Sequence, residues 1–179
     1  NQLGRALTMS RNNIKIGVIL QGAETPFMKE VLKGIQEACA EVDNLGGTVL
    51  VHKIEHQNAE DVILAMEKMR MEEVSGIAMV PLDEERVKRE IDRFVEEFRI
   101  PVVTFTSDVE DTKRLCFVGQ NGVQCGRAAA GLMGELTGGK GKVAVISGYS
   151  TNTSLSSRVV GFREEIARKY PGIEIIGPE

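Results

Sequence analysis

The sequence predicts an α/β protein built on an open parallel sheet with helices on both faces. Short apolar runs of strand length alternate along the chain with longer segments in which apolar residues recur at helical spacing. Several of the short runs are apolar on both faces, which is typical of parallel strands covered by helices on each side. This alternation predicts right-handed crossovers between neighbouring parallel strands.

Each element follows from these patterns. Strands are predicted for the apolar runs at residues 14–20, 48–51, 76–80, 101–105, 115–118, 143–146 and 173–176. The helices between them are predicted from one-sided apolar stripes, which contain Phe27, Val31, Ile35, Ala38 and Val42, then Val62, Met66 and Met69, then Val87, Ile91, Phe94 and Phe98. Asn58 with Asp61 suits an N-terminal cap of the second helix, and Gly46 and Gly47 suit the end of the first.

A polar stretch at residues 106–113 interrupts the alternation once, and a new strand–helix unit begins after it. The next helix, at about 123–136, contains the small residues Gly126, Ala130, Gly131 and Gly134, which suit close packing. We place a lobe boundary near Gly119. Residues 14–118 then form a nearly complete first α/β lobe, and 119–179 form a partial second lobe with too few strands to close a core. We therefore expect the chain to be a fragment.

Composition limits the class of protein. The chain has 179 residues, 42% of them hydrophobic and 27% charged, with a formal net charge of -4. This is typical of a globular domain with a real core. The apolar runs are far shorter than the roughly 20 residues that span a membrane, and we expect no signal peptide before them. The odd number of cysteines, three, favours a reducing compartment, so we expect a cytoplasmic protein without a membrane partner.

The candidate motifs for catalysis and cofactor binding do not lie on the secondary structure that each of them requires. Residues 134–140 fit most of a phosphate-binding loop, but Gly141 replaces its Ser or Thr, and the segment follows a helix rather than a strand. His52 and His56 lie on a strand and its exit, where a rise of about 3.3 Å per residue separates them by roughly 13 Å. No Gly-x-Gly-x-x-Gly follows the first strand. We therefore expect no cofactor, no metal site and no enzymatic activity.

Open α/β sheets bind ligands at the carboxyl ends of their strands, where two loops contain suitable residues. Residues 21–28 follow the first strand and include Gln21, Thr25 and Phe27. The Phe27 ring could face a sugar, or it could be the first core residue of the helix. The fourth strand is followed by three candidate hydrogen-bonding residues, Thr106, Ser107 and Asp108. A capping or solvated turn would contain the same residue types.

The third candidate loop, at residues 148–158, is rich in hydroxyl groups and leads into a helix. Arg158 is expected in about the first turn of that helix. A cation there opposes the helix macrodipole, an arrangement that surface packing does not require. Arg158 is therefore the strongest single candidate for a ligand-binding residue.

The opening segment of the chain is basic although the protein is acidic. Residues 1–11 suit a helix of about two turns, and no Asp or Glu occurs before Glu24, whereas Arg5, Arg11 and Lys15 do. A short cationic helix at the edge of an acidic protein is a candidate for contact with phosphates. A frayed leader segment is the alternative interpretation.

Several of these segments together resemble the type I periplasmic-binding-protein fold, and in particular its sugar-binding branch. They lie, in matching order and spacing, at residues 16–20, 25–28 with Gly34, 75–83, 100–105, 118–121, 125–127 and 157–162. Residues 1–7 resemble the hinge helix of lactose-repressor-family transcription factors, a segment that exported sugar-binding proteins lack.

The resemblance implies roles for particular residues. Residues 1–13 would form a hinge helix and a linker to a helix-turn-helix head, with Leu7 entering the minor groove of operator DNA and Arg5 and Arg11 on its phosphates. Two turns are too short to be helical alone, so order would come only with a dimer partner and DNA. Phe27, the end of the fourth strand and Arg158 match ligand positions of the family. Thr106 stands where an Asp often binds sugar hydroxyls, which leaves Asp108 for that role.

These inferences predict the ligand-sensing and dimerisation part of a bacterial transcriptional regulator. Its effector would be a small polar molecule, a sugar or sugar derivative, that favours one angle between the lobes of a homodimer. The stripe Ile63, Met66 and Met69 could form the dimer contact or belong to the core. A solute-binding protein of a sugar transporter and an α/β enzyme are the alternatives.

Overall fold

The computed structural model describes residues 14–177. Strands and helices alternate along this part of the chain, as the sequence predicts. In order they are β1 (Lys15–Gln21), α1 (Pro26–Asn44), β2 (Thr48–Ile54), α2 (Ala59–Met71), β3 (Gly76–Met79), α3 (Glu85–Glu96), β4 (Val102–Phe105), β5 (Cys116–Val118), α4 (Gly122–Thr137), β6 (Lys140–Ala144), α5 (Thr153–Lys169) and β7 (Gly172–Ile176).

The strands form two parallel sheets. The first has five strands in the order β2-β1-β3-β4-β5, and the second contains β6 and β7. Every paired neighbour is parallel, so the predicted α/β class is confirmed. We call β1 to β5 with α1 to α3 the five-stranded unit, and β6, β7, α4 and α5 the two-stranded unit. The lobe boundary near Gly119 stays a prediction.

Helices cover both faces of the five-stranded sheet. On one face, α2 and α3 bury a continuous core in which Met66, Val87 and Phe94 are fully inaccessible to solvent. On the other face, Met28 of α1 packs with Val18 and Leu20 of β1. Helices pack on both faces of the sheet, which explains why its strands carry apolar side chains on both sides. Because these strands are parallel, their carboxyl ends lie at a common edge of the sheet.

The two-stranded unit has a separate, smaller core. Its buried residues are Ala130, Val143, Phe162, Ile166 and Ile173. The helices α4 and α5 lie very close together at two glycines, Gly126 and Gly161. A Cβ added at Gly126 would meet the backbone of α5 at the Arg158 carbonyl, and one added at Gly161 would meet the Val123 carbonyl of α4. The predicted close packing of the small residues is confirmed at Gly126.

Two strand boundaries differ from the prediction by three residues, and the others agree to within two. The strand β2 continues three residues past Val51, because residues 52–54 pair with the last three residues of β1. The strand β6 begins at Lys140 rather than Val143, because its polar first half pairs with β7 from Gly172 onward. Pairing with a neighbour extends a strand into polar sequence that has no apolar pattern of its own.

The predicted apolar stripe of α1 differs from the structure at its first residue. Phe27 is 65% exposed, whereas Met28, the next residue, is buried against the sheet. The helix therefore faces the sheet through Met28, Val31, Leu32 and Ile35. In α2, Met66 and Met69 are buried in the core, which favours the core interpretation of that stripe over a dimer contact. The Asn58 cap is confirmed, because the Asp61 amide donates to its side chain at 2.8 Å.

A charged cluster between α2 and α3 contains a buried carboxylate. Glu90 is 8% exposed, and its oxygen lies 3.3 Å from an Arg93 nitrogen. Arg93 also pairs with Glu67 and stacks on the Phe98 ring. Burial raises the pKa of Glu90, and the nearby Arg93 guanidinium only partly opposes that rise.

We expect Glu90→Gln to raise the free energy of unfolding at pH 7.5. The folded-state pKa of Glu90 is raised, so the native protein binds this proton more tightly than the unfolded chain does. Ionisation therefore lowers stability as pH rises through the folded pKa, and the gain from Gln should shrink as pH falls toward the ordinary range of a Glu carboxyl. Urea unfolding between pH 4.5 and 8 measures this. The exposed Glu85→Gln is the control, and a pH-independent gain at Glu90 would contradict the account.

Candidate functional site

A cavity of about 640 Å³ opens at the carboxyl edge of the five-stranded sheet, where the sheet meets the start of α5. Its volume falls within the range of about 300–1,000 Å³ that is typical of small-molecule sites. Loops after β1, β3, β4 and β5 form one side. Residues between Tyr149 and Arg158 form the other side. The cavity therefore lies between the two units, and a molecule inside it would contact both.

The loop after β1 places three of the predicted residues on this cavity. Gln21 is 5% exposed and is held by a bond of 2.6 Å from its amide nitrogen to the Val80 carbonyl. Thr25 caps α1, since its hydroxyl oxygen accepts from the Met28 amide at 3.3 Å. Pro26 begins the helix and leaves Phe27 in the first turn with its ring exposed. Of the two interpretations of Phe27, the structure thus favours the exposed ring.

Arg158 approaches the cavity from the opposite side. It is the sixth residue of α5, since the helix starts at Thr153, and therefore lies one turn further in than the sequence suggested. Its guanidinium donates to the Ser154 carbonyl at 2.8 Å and to the Gln120 side-chain oxygen at 3.0 Å. These two bonds fix the guanidinium against the loop after β5. The expected opposition to the macrodipole is weaker at this depth.

Thr106 lines the cavity directly after β4. Its φ of +60° lies in the left-handed region, which β-branched residues rarely adopt. The Thr106 amide donates to the Val118 carbonyl at 3.2 Å, a bond that fixes this conformation against β5. Such backbone strain persists where surrounding contacts determine the conformation, and it is common at ligand sites.

The structure places Ser107 and Asp108 behind the cavity rather than on it. Ser107 is 2% exposed. The Asp108 carboxylate accepts from Arg114 at 2.6 Å and from the Thr104 hydroxyl at 2.7 Å, so both of its oxygens have partners. Asp108 borders a second cavity of about 820 Å³. Gln21, Thr25, Phe27, Thr106 and Arg158 are thus brought together, and the other two candidates are separated from them.

Ser107 and Asp108 instead connect the two units, through what we call the inter-sheet hydrogen bonds. The Ser107 hydroxyl donates to the Asn152 side chain at 2.7 Å. The Asp108 amide donates to the Thr153 hydroxyl at 2.9 Å, and that hydroxyl donates to the Asp108 carbonyl at 2.6 Å. The Ser154 amide at the start of α5 also donates to Ser107, at 3.3 Å. These bonds hold the N-terminus of α5 against the loop after β4.

Replacing Ser107 with alanine should loosen this connection. Loss of a buried hydroxyl with several partners is expected to lower the free energy of unfolding by about 1–2 kcal/mol. It should also raise the radius of gyration measured by small-angle scattering, because the two units separate more easily. Ser156→Ala is the matched control, since that hydroxyl donates to the carbonyl of Asn152, the cap residue of its own helix, and not to the loop after β4. Equal effects of the two substitutions would contradict the assigned role.

Further polar residues line the cavity that the sequence analysis did not select. They are Gln57, Gln120, Tyr149, Asn152 and Ser154. Gln57 follows β2 and Gln120 follows β5, so the rule that ligands bind at the carboxyl ends of strands pointed to both. The sequence did not distinguish Asn152 from the many other hydroxyl and amide residues of its loop. Its role as the cap of α5, through a bond of 3.1 Å from the Ser154 amide, is visible only in three dimensions.

Three further predictions concern the basic segment, metal binding and membrane spanning. Arg5, Leu7 and Arg11, with the rest of residues 1–13, lie outside the described residues. Between residues 14 and 177 no group of three His, Cys, Asp or Glu side chains could hold a metal ion. Within the same range, every helix is too short or too polar to cross a bilayer.

The chain matches known proteins by sequence family and by structure. GanP, a glucose-galactose binding protein from Geobacillus stearothermophilus, is 26% identical with a TM-score of 0.82, over 93% of this chain and 57% of that chain. A solute-binding protein of an ABC transporter from Burkholderia graminis, solved with D-arabinose, is 27% identical with a TM-score of 0.83, over 93% and 56%. A protein described as a LacI transcriptional regulator from Bacteroides fragilis is 20% identical with a TM-score of 0.81, over 92% and 59%, which shows the fold alone.

These comparisons also define the extent of the match. The chain spans about 57% of the length of GanP and a similar share of the other two. No curated protein sequence gives a significant match. The sequence model of the periplasmic binding protein domain covers residues 16–179, which is most of the chain. With this match and a fold shared with solved sugar-binding proteins, the chain belongs to the periplasmic binding protein domain family.

Proposed function

We propose that this chain binds a small polyhydroxylated molecule, a sugar or sugar derivative, in the cavity between its two units, as the sensing part of a bacterial transcriptional regulator. The observation that carries the proposal is the arrangement of Phe27 and Arg158. An exposed aromatic ring on α1 and a fixed guanidinium on α5 line one cavity from opposite units. The solved relatives described as binding glucose and galactose, or D-arabinose, support this ligand class.

The side chains around the cavity suit such a ligand. The Phe27 ring offers an apolar face to the C–H groups of a pyranose or furanose. Hydroxyl and amide groups of Thr25, Thr106 and Asn152 can donate to and accept from ring hydroxyls. Arg158 retains N–H groups beyond the two that bond to Ser154 and Gln120. A ligand with an apolar face and several hydroxyls would satisfy both kinds of surface.

Ligand binding would act on the relative position of the two units. A molecule that contacts both units favours one arrangement only as far as its affinities for the two arrangements differ. The inter-sheet hydrogen bonds lie directly behind Thr106, so they would respond to the same movement. In a homodimer, this movement would set the spacing of two copies of the basic segment at residues 1–13.

The basic segment is the reason for placing the chain in a regulator. Residues 1–11 carry Arg5 and Arg11 without any acidic residue, and we propose that they contact operator phosphates while Leu7 enters the minor groove. The protein would then act in the cytoplasm as a homodimer on DNA, and it would not be an enzyme.

A solute-binding protein of a sugar transporter is the second candidate. It is favoured by the 26–27% identity to GanP and to the Burkholderia graminis protein, whereas the regulator from Bacteroides fragilis is 20% identical. The gene sequence upstream of Asn1 separates the two candidates. A helix-turn-helix would support the regulator, and a secretion signal or lipoprotein cysteine would support the transporter.

Ligand binding is tested by a thermal-shift screen of the complete gene product, followed by calorimetry. The screen contains monosaccharides, sugar acids and sugar phosphates, and at least one is expected to stabilise the protein. Failure of every compound would contradict the proposed ligand class.

Phe27→Ala tests the position of the bound molecule. Loss of the aromatic face is expected to weaken the affinity for the best compound of the screen about tenfold, or about 1.4 kcal/mol. Leu45→Ala is the matched control, because Leu45 is an 82% exposed apolar residue at the opposite end of α1. Calorimetric titration measures both variants. Unchanged affinity in Phe27→Ala would place the ligand elsewhere.

A further inference from the structure

Gln120 lies where the chain passes from the five-stranded unit to the two-stranded unit. It follows Val118, the last residue of β5, by two positions and directly precedes Asn121, the cap residue of α4. Its side chain lines the cavity between the two units together with Arg158. We propose that Gln120 is a positioning residue, which holds the Arg158 guanidinium in the orientation that a ligand meets. This role rests on the proposed function, because it acts on the ligand through Arg158.

The Arg158 guanidinium is held at two of its nitrogens. One nitrogen donates to the Ser154 carbonyl, four residues earlier in the chain on the same helix, at 2.8 Å. Another donates to the Gln120 side-chain oxygen, on a different element, at 3.0 Å. Because a guanidinium is planar, bonds at two nitrogens fix its plane. The bond to Ser154 alone would leave the group free to turn, so the orientation depends on Gln120.

The acceptor oxygen of Gln120 is itself held in place by its surroundings. On one side, Val118 is paired with β4. On the other side, the Asn121 side chain accepts from the Gln124 amide at 3.0 Å and so fixes the start of α4. The Cys125 sulfur lies 3.8 Å from the Gln120 side-chain oxygen, a distance that suits the weak hydrogen bond of a thiol. Gln120 therefore offers Arg158 an acceptor at a defined position.

An arginine that is held in advance binds a ligand more tightly. A long side chain loses much conformational entropy when a ligand immobilises it. A guanidinium that Gln120 already holds loses less, so more of its hydrogen-bond energy contributes to affinity. Gln120 is exposed in the free protein, and exposed side chains contribute little to the free energy of unfolding. Its substitution should therefore change affinity without changing stability.

A double-mutant cycle on the complete gene product tests this role. The probe is the tightest binder, by calorimetry, among D-glucose, D-galactose, D-arabinose and the corresponding sugar acids and phosphates. Gln120→Met keeps the length of the side chain but removes the acceptor oxygen, and it should weaken affinity about fivefold. In the Arg158→Ala protein, the same substitution should change affinity by less than about 1.5-fold, because no guanidinium remains to be held.

Three further measurements separate positioning from other roles. Gln120→Glu keeps an acceptor oxygen at the same reach, so it should retain more of the affinity than Gln120→Met does. Gln36→Met makes the same change at an exposed residue of α1 that lines neither cavity, and affinity should stay within about twofold. The melting temperature of the ligand-free Gln120→Met protein should stay within about 1 °C of the unaltered protein.

The possible results are distinguishable. Equal losses from Gln120→Met with and without Arg158 would show that Gln120 contacts the ligand directly. That result, an unchanged affinity in Gln120→Met, or a melting temperature lower by several degrees would overturn the positioning role and leave the proposed function standing. Absence of binding by every compound would overturn both.

Discussion

Arg158→Ala should abolish the response to ligand, and in the proposed regulator the complete gene product should still bind operator DNA. Arg158 is the residue of α5 whose guanidinium reaches both the cavity and Gln120 of the loop after β5. Its removal deletes charge-assisted hydrogen bonds, each of which contributes about 1.5–3 kcal/mol. We therefore expect ligand affinity to fall about 100-fold, or about 3 kcal/mol. Calorimetry and an operator gel-shift titration, with and without ligand, measure the two effects.

Arg127→Ala is the matched control for Arg158. The Arg127 side chain is 42% exposed, pairs with Glu164 and does not line the cavity between the two units. Its substitution should leave ligand affinity within about twofold, because exposed ion pairs contribute little. If Arg158→Ala lost DNA binding together with the ligand response, Arg158 would have a structural role instead.

Gly126→Ala is expected to produce the largest loss of stability. The added methyl group would overlap the Arg158 carbonyl and lie 2.7 Å from the Phe162 amide nitrogen, both of them backbone atoms of α5. Because backbone atoms cannot move aside by changing rotamer, the two helices must separate. Overpacking of this kind costs about 3 kcal/mol, which corresponds to a melting temperature lower by roughly 6–12 °C. Differential scanning calorimetry measures it.

Gly131→Ala, on the same helix, is the control for Gly126. A Cβ at Gly131 meets no atom within 4 Å, so alanine should stabilise α4 by about 0.5–1 kcal/mol through its higher helix propensity. Opposite signs at two glycines only five residues apart would establish close helix contact as the cause. A neutral or stabilising Gly126→Ala would contradict the packing of α4 against α5.

The local patterns of the sequence predict most of this fold. Apolar periodicity determined the order of strands and helices, and the cap at Asn58 was recognisable because a capping side chain bonds within three residues. The first half of β6 was missed because Lys140 and Lys142 interrupt its apolar pattern, and pairing with β7 is what makes it a strand. Such pairing depends on residues distant in the chain.

A residue of the candidate site was predictable from the sequence where its exposure depends only on the loop that contains it. Phe27 remained ambiguous in the sequence because a shift of one residue in the buried face of α1 separates core from surface. Ser107 and Asp108 could not be separated from Thr106 by sequence, because their partners Asn152 and Thr153 lie about 45 residues away. Residue type alone does not distinguish a hydroxyl that bonds a ligand from one that connects two units.

Hydrogen–deuterium exchange of the complete gene product, with and without the compound that gives the largest thermal shift, tests the central claim most directly. If the ligand occupies the cavity between the two units, amides of residues 21–28 and of residues 149–158 should both gain protection. Protection confined to one of these segments, or to neither, would contradict a ligand that contacts both units.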